Sequence, residues 1–248
     1  TMNRLILRRE QSFQGPLILV NQDHPLRENV PPALASLDPL YPNVLMERRA
    51  CRLLSACIQA AKGQGSIVPV SGWRSFQEQQ DIWNDTWAKE GETFTRRYVA
   101  RPGCSEHQTG LAMDLGQAAP CIDFIRPNFP EDGPCGTFRR LAAQYGFVQR
   151  YRREKESLTH IAEEPWHFRY VGVPHAQLMV QHHLCLEEYI PFLRSGVKEY
   201  RLSNGRTAQV SWIPCAGEST EVEVPQSCWQ FSGDNQGGFV LTVWEGEL

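Results

Sequence analysis

Three short segments concentrate the side chains able to do chemistry: Ser71-Gly72-Trp73-Arg74-Ser75, Pro102 through Leu115, and Glu163 through Gly172. In the second, Asp114 stands inside the apolar run Leu111–Leu115, where a carboxylate is costly to bury unless it is paired or holds a metal. His107 precedes it by seven residues, and Gly110 between them permits a sharp bend that lets the two converge. In the third, His167 alternates with Trp166 and Phe168, so in a strand it points away from both. Pro165 biases Glu164 towards an extended backbone, which helps to hold its carboxylate in one place. If these groups face one cavity, two imidazoles and a carboxylate suit zinc with one coordination position open, and Glu164 supplies a base: a hydrolytic site.

Each residue alone also has a structural reading. A lone histidine is more often a hydrogen-bonded structural group, Asp114 could cap a strand end, and Glu164 could be a surface charge. His107 and His167 are 60 residues apart, so spacing by itself leaves the zinc site open beside these readings. Cys104, three residues from His107, invites a cysteine-nucleophile reading, but that would engage His107 with the thiol and leave Asp114 and His167 unexplained. His182 and His183 fall on an expected helix and read as surface or core polar residues.

The elements that must position these segments can be read from periodicity. Leu17–Val20 is expected as a short strand, followed by a Pro-rich wrap from Pro25 to Pro42. Ala50, Leu53, Leu54, Cys57, Ile58 and Ala61 recur at helical spacing and predict a helix from about Asn43 to Lys62, ended by Gly63 and Gly65. Ile67–Val70 is a strand candidate, and Ser75 with Glu78 forms a capping box opening a helix towards Gly91. Leu111–Leu115, Phe147–Tyr151 and Trp166–Val171 are expected strands, with a short helix around Phe138–Tyr145 and a loop from Cys121 to Pro134. A helix from Pro174 to Arg194 is expected to kink or break at Pro191. Beyond Gly196 the texture becomes β: Asn204-Gly205 is a hairpin signal between Tyr200–Leu202 and Thr207–Trp212, and Val222–Val224 and Phe239–Trp244 add strands. The expected organisation is a main domain over residues 1–196 and a small β appendage over residues 197–248. In that appendage Trp212, Trp229 and Trp244 read as core before sugar-stacking residues.

Length and composition bound what such a site can serve. A chain of 248 residues, 41% hydrophobic and 21% charged, is a globular protein large enough to fold without disulfides or structural metal. With 25 basic against 28 acidic residues and a net charge of −3, it has no basic excess for nucleic acid or an anionic membrane. The eight cysteines contain no C-x-x-C pair and read as free thiols. No apolar stretch approaches a transmembrane span, and charges interrupt the N-terminal apolar run too early for a signal peptide. With Met2 as the natural start, the expectation is a cytoplasmic protein, an upstream anchor being left open.

The segments resemble the LAS-type zinc peptidases, and within them the VanY and VanXY D,D-peptidases. The S-x-H-x6-D pattern falls on Ser105, His107 and Asp114, E-x-x-H on Glu164 and His167, and S-G-[YW]-R-S-x-x-x-Q on Ser71 to Gln79. Leu19 to Leu26 is similar to the start of that group, and the resemblance covers about residues 17–195. It implies an α+β fold, a small antiparallel sheet with flanking helices of the LAS/hedgehog type. It implies His107, Asp114 and His167 as ligands of Zn2+, Glu164 as general base, and Arg74 on the scissile carbonyl. Ser105 would hold the substrate's terminal carboxylate, and Gln79 and Ser71 would belong to the substrate groove. The implied substrate is a peptidoglycan precursor stem ending in D-Ala-D-Ala, cleaved by a D,D-carboxypeptidase with a role in glycopeptide resistance or wall trimming. VanXY-type members that also cleave the free dipeptide can carry Asp where this chain has Ser71. Serine cannot neutralise the dipeptide's ammonium, although Asp123 on a following loop could. The carboxypeptidase is therefore favoured over a dipeptidase or dual enzyme, and over a zinc-containing binding module without activity.

Overall fold

The computed structural model describes residues 2–27, 32–226 and 228–246. Its strands are β1 (Met2–Arg8), β2 (Leu34–Ser36), β3 (Leu45–Glu47), β4 (Ile67–Ser71), β5 (Ala112–Gln117), β6 (Phe147–Gln149), β7 (His167–Tyr170), β8 (Lys198–Arg201), β9 (Thr207–Pro214), β10 (Ser219–Pro225), β11 (Trp229–Gly233) and β12 (Gly238–Glu245). Its helices are α1 (Arg48–Ala60), α2 (Phe76–Tyr98), α3 (Gly133–Leu141), α4 (Glu156–Thr159), α5 (His175–Gln181) and α6 (Leu186–Arg194). The fold is mixed α and β, with small antiparallel sheets. Among the described residues no helix is long and apolar enough to cross a membrane.

Contacts divide the chain into one unit over Val20–Val180 and another that joins Thr1–Leu19 to Gln181–Leu248. This division differs from the expected boundary at residue 196. β1 pairs with β10 along its whole length, from Met2 opposite Pro225 to Arg8 opposite Ser219, and so ties the N-terminus to the C-terminal strands.

The Val20–Val180 unit is organised by an antiparallel sheet of order β4-β5-β7-β6. Alternation gives this sheet two chemically different faces. Met113, Leu115, Phe168 and Tyr170 point to one face and join the core with Ala50, Leu54, Cys57 and Ile58 of α1 and Phe138 of α3. Ala112, Asp114, His167 and Arg169 point to the other. The helix expected from Asn43 begins at Arg48, because Leu45–Glu47 pairs as a short ribbon with Leu34–Ser36, which lies inside the expected wrap. Glu47 then caps α1, accepting from the Arg49 and Ala50 amides.

Helix α2 starts on the expected capping box, Ser75 Oγ accepting from the Glu78 amide at 3.1 Å and Glu78 Oε2 from the Ser75 amide at 2.7 Å. It does not stop at Gly91; that residue takes φ 82° and ψ 176°, a kink, and helix resumes to Tyr98. Pro191 lies inside α6 and is not where the helical stretch breaks. The break falls between α5 and α6, where His183 has φ 53° and Glu188 caps Cys185. The expected hairpin at Asn204-Gly205 joins β8 to β9.

Leu17–Val20 is buried but is not a strand. Its backbone bonds go to the Ser232–Asn235 turn: the Leu17 amide to Ser232 Oγ, the Leu19 amide to the Asp234 carbonyl, and the Leu19 carbonyl to Asn235 Nδ2. The second unit also holds the sheet β11-β12-β9-β8, with Leu7, Val222, Val224, Phe239 and Leu241 as its apolar cluster. Trp212 is half-buried and donates Nε1 to Asp234 Oδ2 at 2.8 Å, while Trp229 packs against the apolar cluster.

His175, at the start of α5, is 2% exposed, and burial pushes its pKa down to about 3. The unfolded chain takes up that proton near pH 6.5, so this contribution to stability is complete above pH 6.5 and is lost as pH falls towards 3. The loss amounts to about 2 kcal/mol at pH 5. In urea unfolding at pH 7.5 and 5.0, the stability gap between wild type and His175→Gln is expected to narrow by about 2 kcal/mol at the lower pH. A gap independent of pH would show that folded His175 takes up its proton normally.

Candidate metal centre

Sheet register brings all three chemical segments together. Asp114 of β5 stands directly opposite His167 of β7 and next to Ser71 of β4, so residues distant in sequence become cross-strand neighbours. His107 arrives from a single 3-10 turn, Glu106–Thr109, capped by Ser105 Oγ on the His107 amide at 3.3 Å. Gly110 ends that turn at φ 76°, a left-handed conformation, and a Cβ there would crowd Pro32. Glu164 opens a tight turn, Glu164-Pro165-Trp166-His167, closed by the His167 amide on the Glu164 carbonyl at 3.2 Å. Proline suits the second position of such a turn, and the turn sets Glu164 beside His167. The Arg74 amide bonds the His107 carbonyl at 3.1 Å, which locks the first segment to the second.

His107, Asp114 and His167 each offer a ligand atom, and these atoms lie within 4.8 Å of one another. All three residues are buried. Asp114 Oδ1 sits 3.3 Å from His107 Nε2 and 3.1 Å from His167 Nδ1. It nevertheless meets no donor in hydrogen-bond geometry, leaving a buried carboxylate oxygen without its usual partner. The outer nitrogens are both engaged: His107 Nδ1 lies 2.8 Å from the Gly72 carbonyl, and His167 Nε2 lies 3.1 Å from Glu106 Oε2. These acceptors take the ring protons and leave the lone pairs of His107 Nε2 and His167 Nδ1 facing Asp114. Three lone-pair donors aimed at one buried point, one of them an orphaned carboxylate oxygen, fit a divalent cation.

Electrostatics agree with that fit. Burial, with Arg74, holds His107 below its ordinary pKa, so it is a neutral donor. Burial would lower His167, but Asp114, Glu106 and Glu164 outweigh it and push this imidazole well above its usual value. Burial alone would raise Asp114, yet the two histidines hold it low. Carboxylates crowded around one imidazole demand positive charge at this point, which a proton or a metal ion can supply. Burial pushes Glu164 up to about 7, matching a group that accepts and returns a proton near neutrality. Its Oε2 is 3.4 Å from His167 Nδ1.

Arg74, Gln79, Ser105 and Glu164 line the same cavity as the three donors. Arg74 is held at three points: Nε donates to Ser71 Oγ at 2.9 Å, Nη1 to Gln79 Oε1 at 3.1 Å, and Nη2 lies 3.4 Å from Asp114 Oδ2. Gln79 is itself fixed by donating Nε2 to the Ala100 carbonyl at 2.8 Å.

The VanY family model, described as D-alanyl-D-alanine carboxypeptidase, matches residues 43–173. A bifunctional D-Ala-D-Ala dipeptidase and carboxypeptidase of Enterococcus gallinarum, VanXYC, is 36% identical over 186 residues, 74% of this chain and 98% of that protein. The chain belongs to the VanY family. Among solved structures, the vancomycin-resistance D,D-dipeptidase VanXYg in complex with a D-Ala-D-Ala phosphinate analogue matches with a TM-score of 0.97 and 43% identity. That match covers 99% of this chain and 100% of the other. A point mutant of the D,D-pentapeptidase VanY from a VanB-type resistance cassette, in complex with Zn(II), matches at a TM-score of 0.58 and 28% identity. It covers 71% of this chain and 98% of the other.

Against this VanY-family background the remaining expected residues fall into place unevenly. Ser71 does not line the cavity; its hydroxyl is turned to Arg74 Nε. Asp123 is likewise outside it, its Oδ1 accepting from the Ile125 and Arg126 amides, although the neighbouring Phe124 and Ile125 do line the site. Cys104 faces an adjoining cavity, and burial raises its thiol despite Arg101 nearby, the opposite of what an activated nucleophile needs.

Sequence reasoning missed Glu106. Its side chain is fully buried and its Oε1 accepts from Arg150 Nε at 2.6 Å and Arg169 Nη1 at 2.7 Å, while Oε2 faces His167. Burial would raise Glu106, but Arg150 and Arg169 hold it well below the usual carboxylate range. The available signal was Arg169, two residues after His167 and therefore on the same face of a strand, where a buried guanidinium requires a carboxylate.

Proposed function

We propose that this chain is a zinc-dependent D,D-carboxypeptidase that hydrolyses the last peptide bond of peptidoglycan precursor stems ending in D-Ala-D-Ala and releases the terminal D-alanine. The observation that carries the reading is the convergence of His107, Asp114 and His167 on one buried point, with Glu164 and Arg74 in the same cavity. These three side chains would hold the metal, within a fold of the LAS peptidase type. Zinc, when bound, supplies a Lewis acid that acidifies water and polarises a carbonyl.

The chain's own groups do the rest. Glu164 takes the proton of the attacking water and returns it to the leaving amine. Arg74, pinned by Ser71 and Gln79, presents its guanidinium to the oxygen on which negative charge develops, so its charge needs no reorientation during reaction. Ser105, on the cavity wall, meets the terminal carboxylate. Removing the terminal D-alanine alters the D-Ala-D-Ala terminus that glycopeptides bind, and relatives named for vancomycin resistance support that role.

A second reading, cleavage of free D-Ala-D-Ala, is favoured by the full-length match to a D,D-dipeptidase. A substrate panel separates the two: free D-Ala-D-Ala, pentapeptide stems ending in D-Ala, D-Ser or D-lactate, and an all-L control. D-Alanine release from the D-Ala pentapeptide, abolished by EDTA, restored by zinc and indifferent to iodoacetamide, is the expected result. Release from the dipeptide alone would establish the second reading, and hydrolysis of neither would remove both.

A further inference from the structure

A second cavity, of about 250 Å³, adjoins the one that holds the metal-ligand candidates, and the two share Val99, Ala100, Tyr151 and Ile161 as walls. Its own lining brings in Arg96, Arg101 and His160, and none of its described lining residues carries a carboxylate. In a chain of net charge −3, this concentration of basic groups is a local feature rather than a consequence of composition. Arg96 is partly engaged, its Nε donating to Glu92 Oε1 at 2.8 Å and its guanidinium lying over Trp87. Arg101 is exposed and its guanidinium makes no ion pair among the described residues. A guanidinium beside a hydrolytic centre, with no acid of its own, is free to form a charge-assisted pair with an anionic group on what that centre binds.

We infer that the second cavity is a subsite for a carboxylate of the substrate, with Arg101 as its main contact, Arg96 adding to the positive field and His160 on the same wall. The inference rests on the D,D-peptidase reading above. Two sources can supply the carboxylate: an acidic residue of the stem on the amino-terminal side of the scissile bond, or the C-terminal carboxylate itself. A free dipeptide carries only the second.

Arg101→Gln and Arg101→Lys, assayed as zinc-loaded full chains, separate these. The substrates are L-Ala-γ-D-Glu-L-Lys-D-Ala-D-Ala, the same peptide with the D-Glu carboxylate amidated, and diacetyl-L-Lys-D-Ala-D-Ala. If the stem carboxylate is the ligand, Arg101→Gln raises KM on the acidic pentapeptide about 10-fold, the size of a lost charge-assisted hydrogen bond, and leaves the other two unchanged. If the terminal carboxylate is the ligand, KM rises similarly on all three. In both cases kcat stays constant, because ground state and transition state lose the contact equally, and Arg101→Lys recovers part of the loss. KM within about twofold of wild type on every substrate overturns the subsite. A wild-type chain that hydrolyses none of the three overturns instead the peptidase reading beneath it.

Discussion

Replacing Glu164 by Gln is expected to lower kcat on a D-Ala-D-Ala-terminated pentapeptide by about 10²–10⁴ while leaving the zinc content unchanged. The substitution keeps size and hydrogen-bonding reach but removes the basic site, so attacking water has no group to receive its proton. Metal should stay because the three converging donors are His107, Asp114 and His167, and Glu164 lies beside them at 3.4 Å from His167 Nδ1. Metal content by elemental analysis and single-turnover hydrolysis check the two halves separately. Unimpaired hydrolysis would take Glu164 out of the chemistry, and loss of metal would make it a ligand. His107→Ala provides the contrast, since there the metal itself should be lost.

What could be read in advance depended on how far apart in the chain the partners lie. Helix α1 and the strands β4, β5 and β7 follow from local apolar periodicity, and the capping box at Ser75 is closed by a residue three positions away. Spacing alone left the site open, and the candidates were legible through the resemblance that the three motifs carry together; antiparallel register then does the assembling, with Asp114 opposite His167. Strand β1 was not legible, since its pairing residues lie at 219–225 and its alternation is broken by charges. Leu17–Val20 has strand-like composition, but its backbone partners come from a turn more than 200 residues away. Ser71 illustrates a subtler limit: the motif placed it at the site, while the structure turns its hydroxyl to Arg74, which places it one contact further from the cavity.

Glu106→Gln is expected to weaken zinc binding by about 10–100-fold and to destabilise the protein by about 3–5 kcal/mol. The argument follows from which atoms can donate. Glu106 Oε1 accepts from Arg150 and Arg169, and Oε2 faces His167 Nε2 at 3.1 Å. A glutamine that keeps its oxygen on the two arginines must turn its NH2 towards His167. Nε2 then becomes an acceptor, the ring proton moves to Nδ1, and the lone pair that faces Asp114 is lost. The reverse amide orientation sets donors against two buried guanidiniums. In either orientation Arg150 and Arg169, 2% and 0% exposed, lose their anionic partner, which is the costly way to break a buried ion pair. Glu106→Asp retains the charge and should recover part of both losses. Chelator competition for zinc affinity, urea unfolding for stability, and nitrogen-detected NMR of the His167 tautomer report on three different consequences of one carboxylate. A folded Glu106→Gln chain with wild-type zinc affinity and an unchanged His167 tautomer would reduce Glu106 to a partner of the arginines alone.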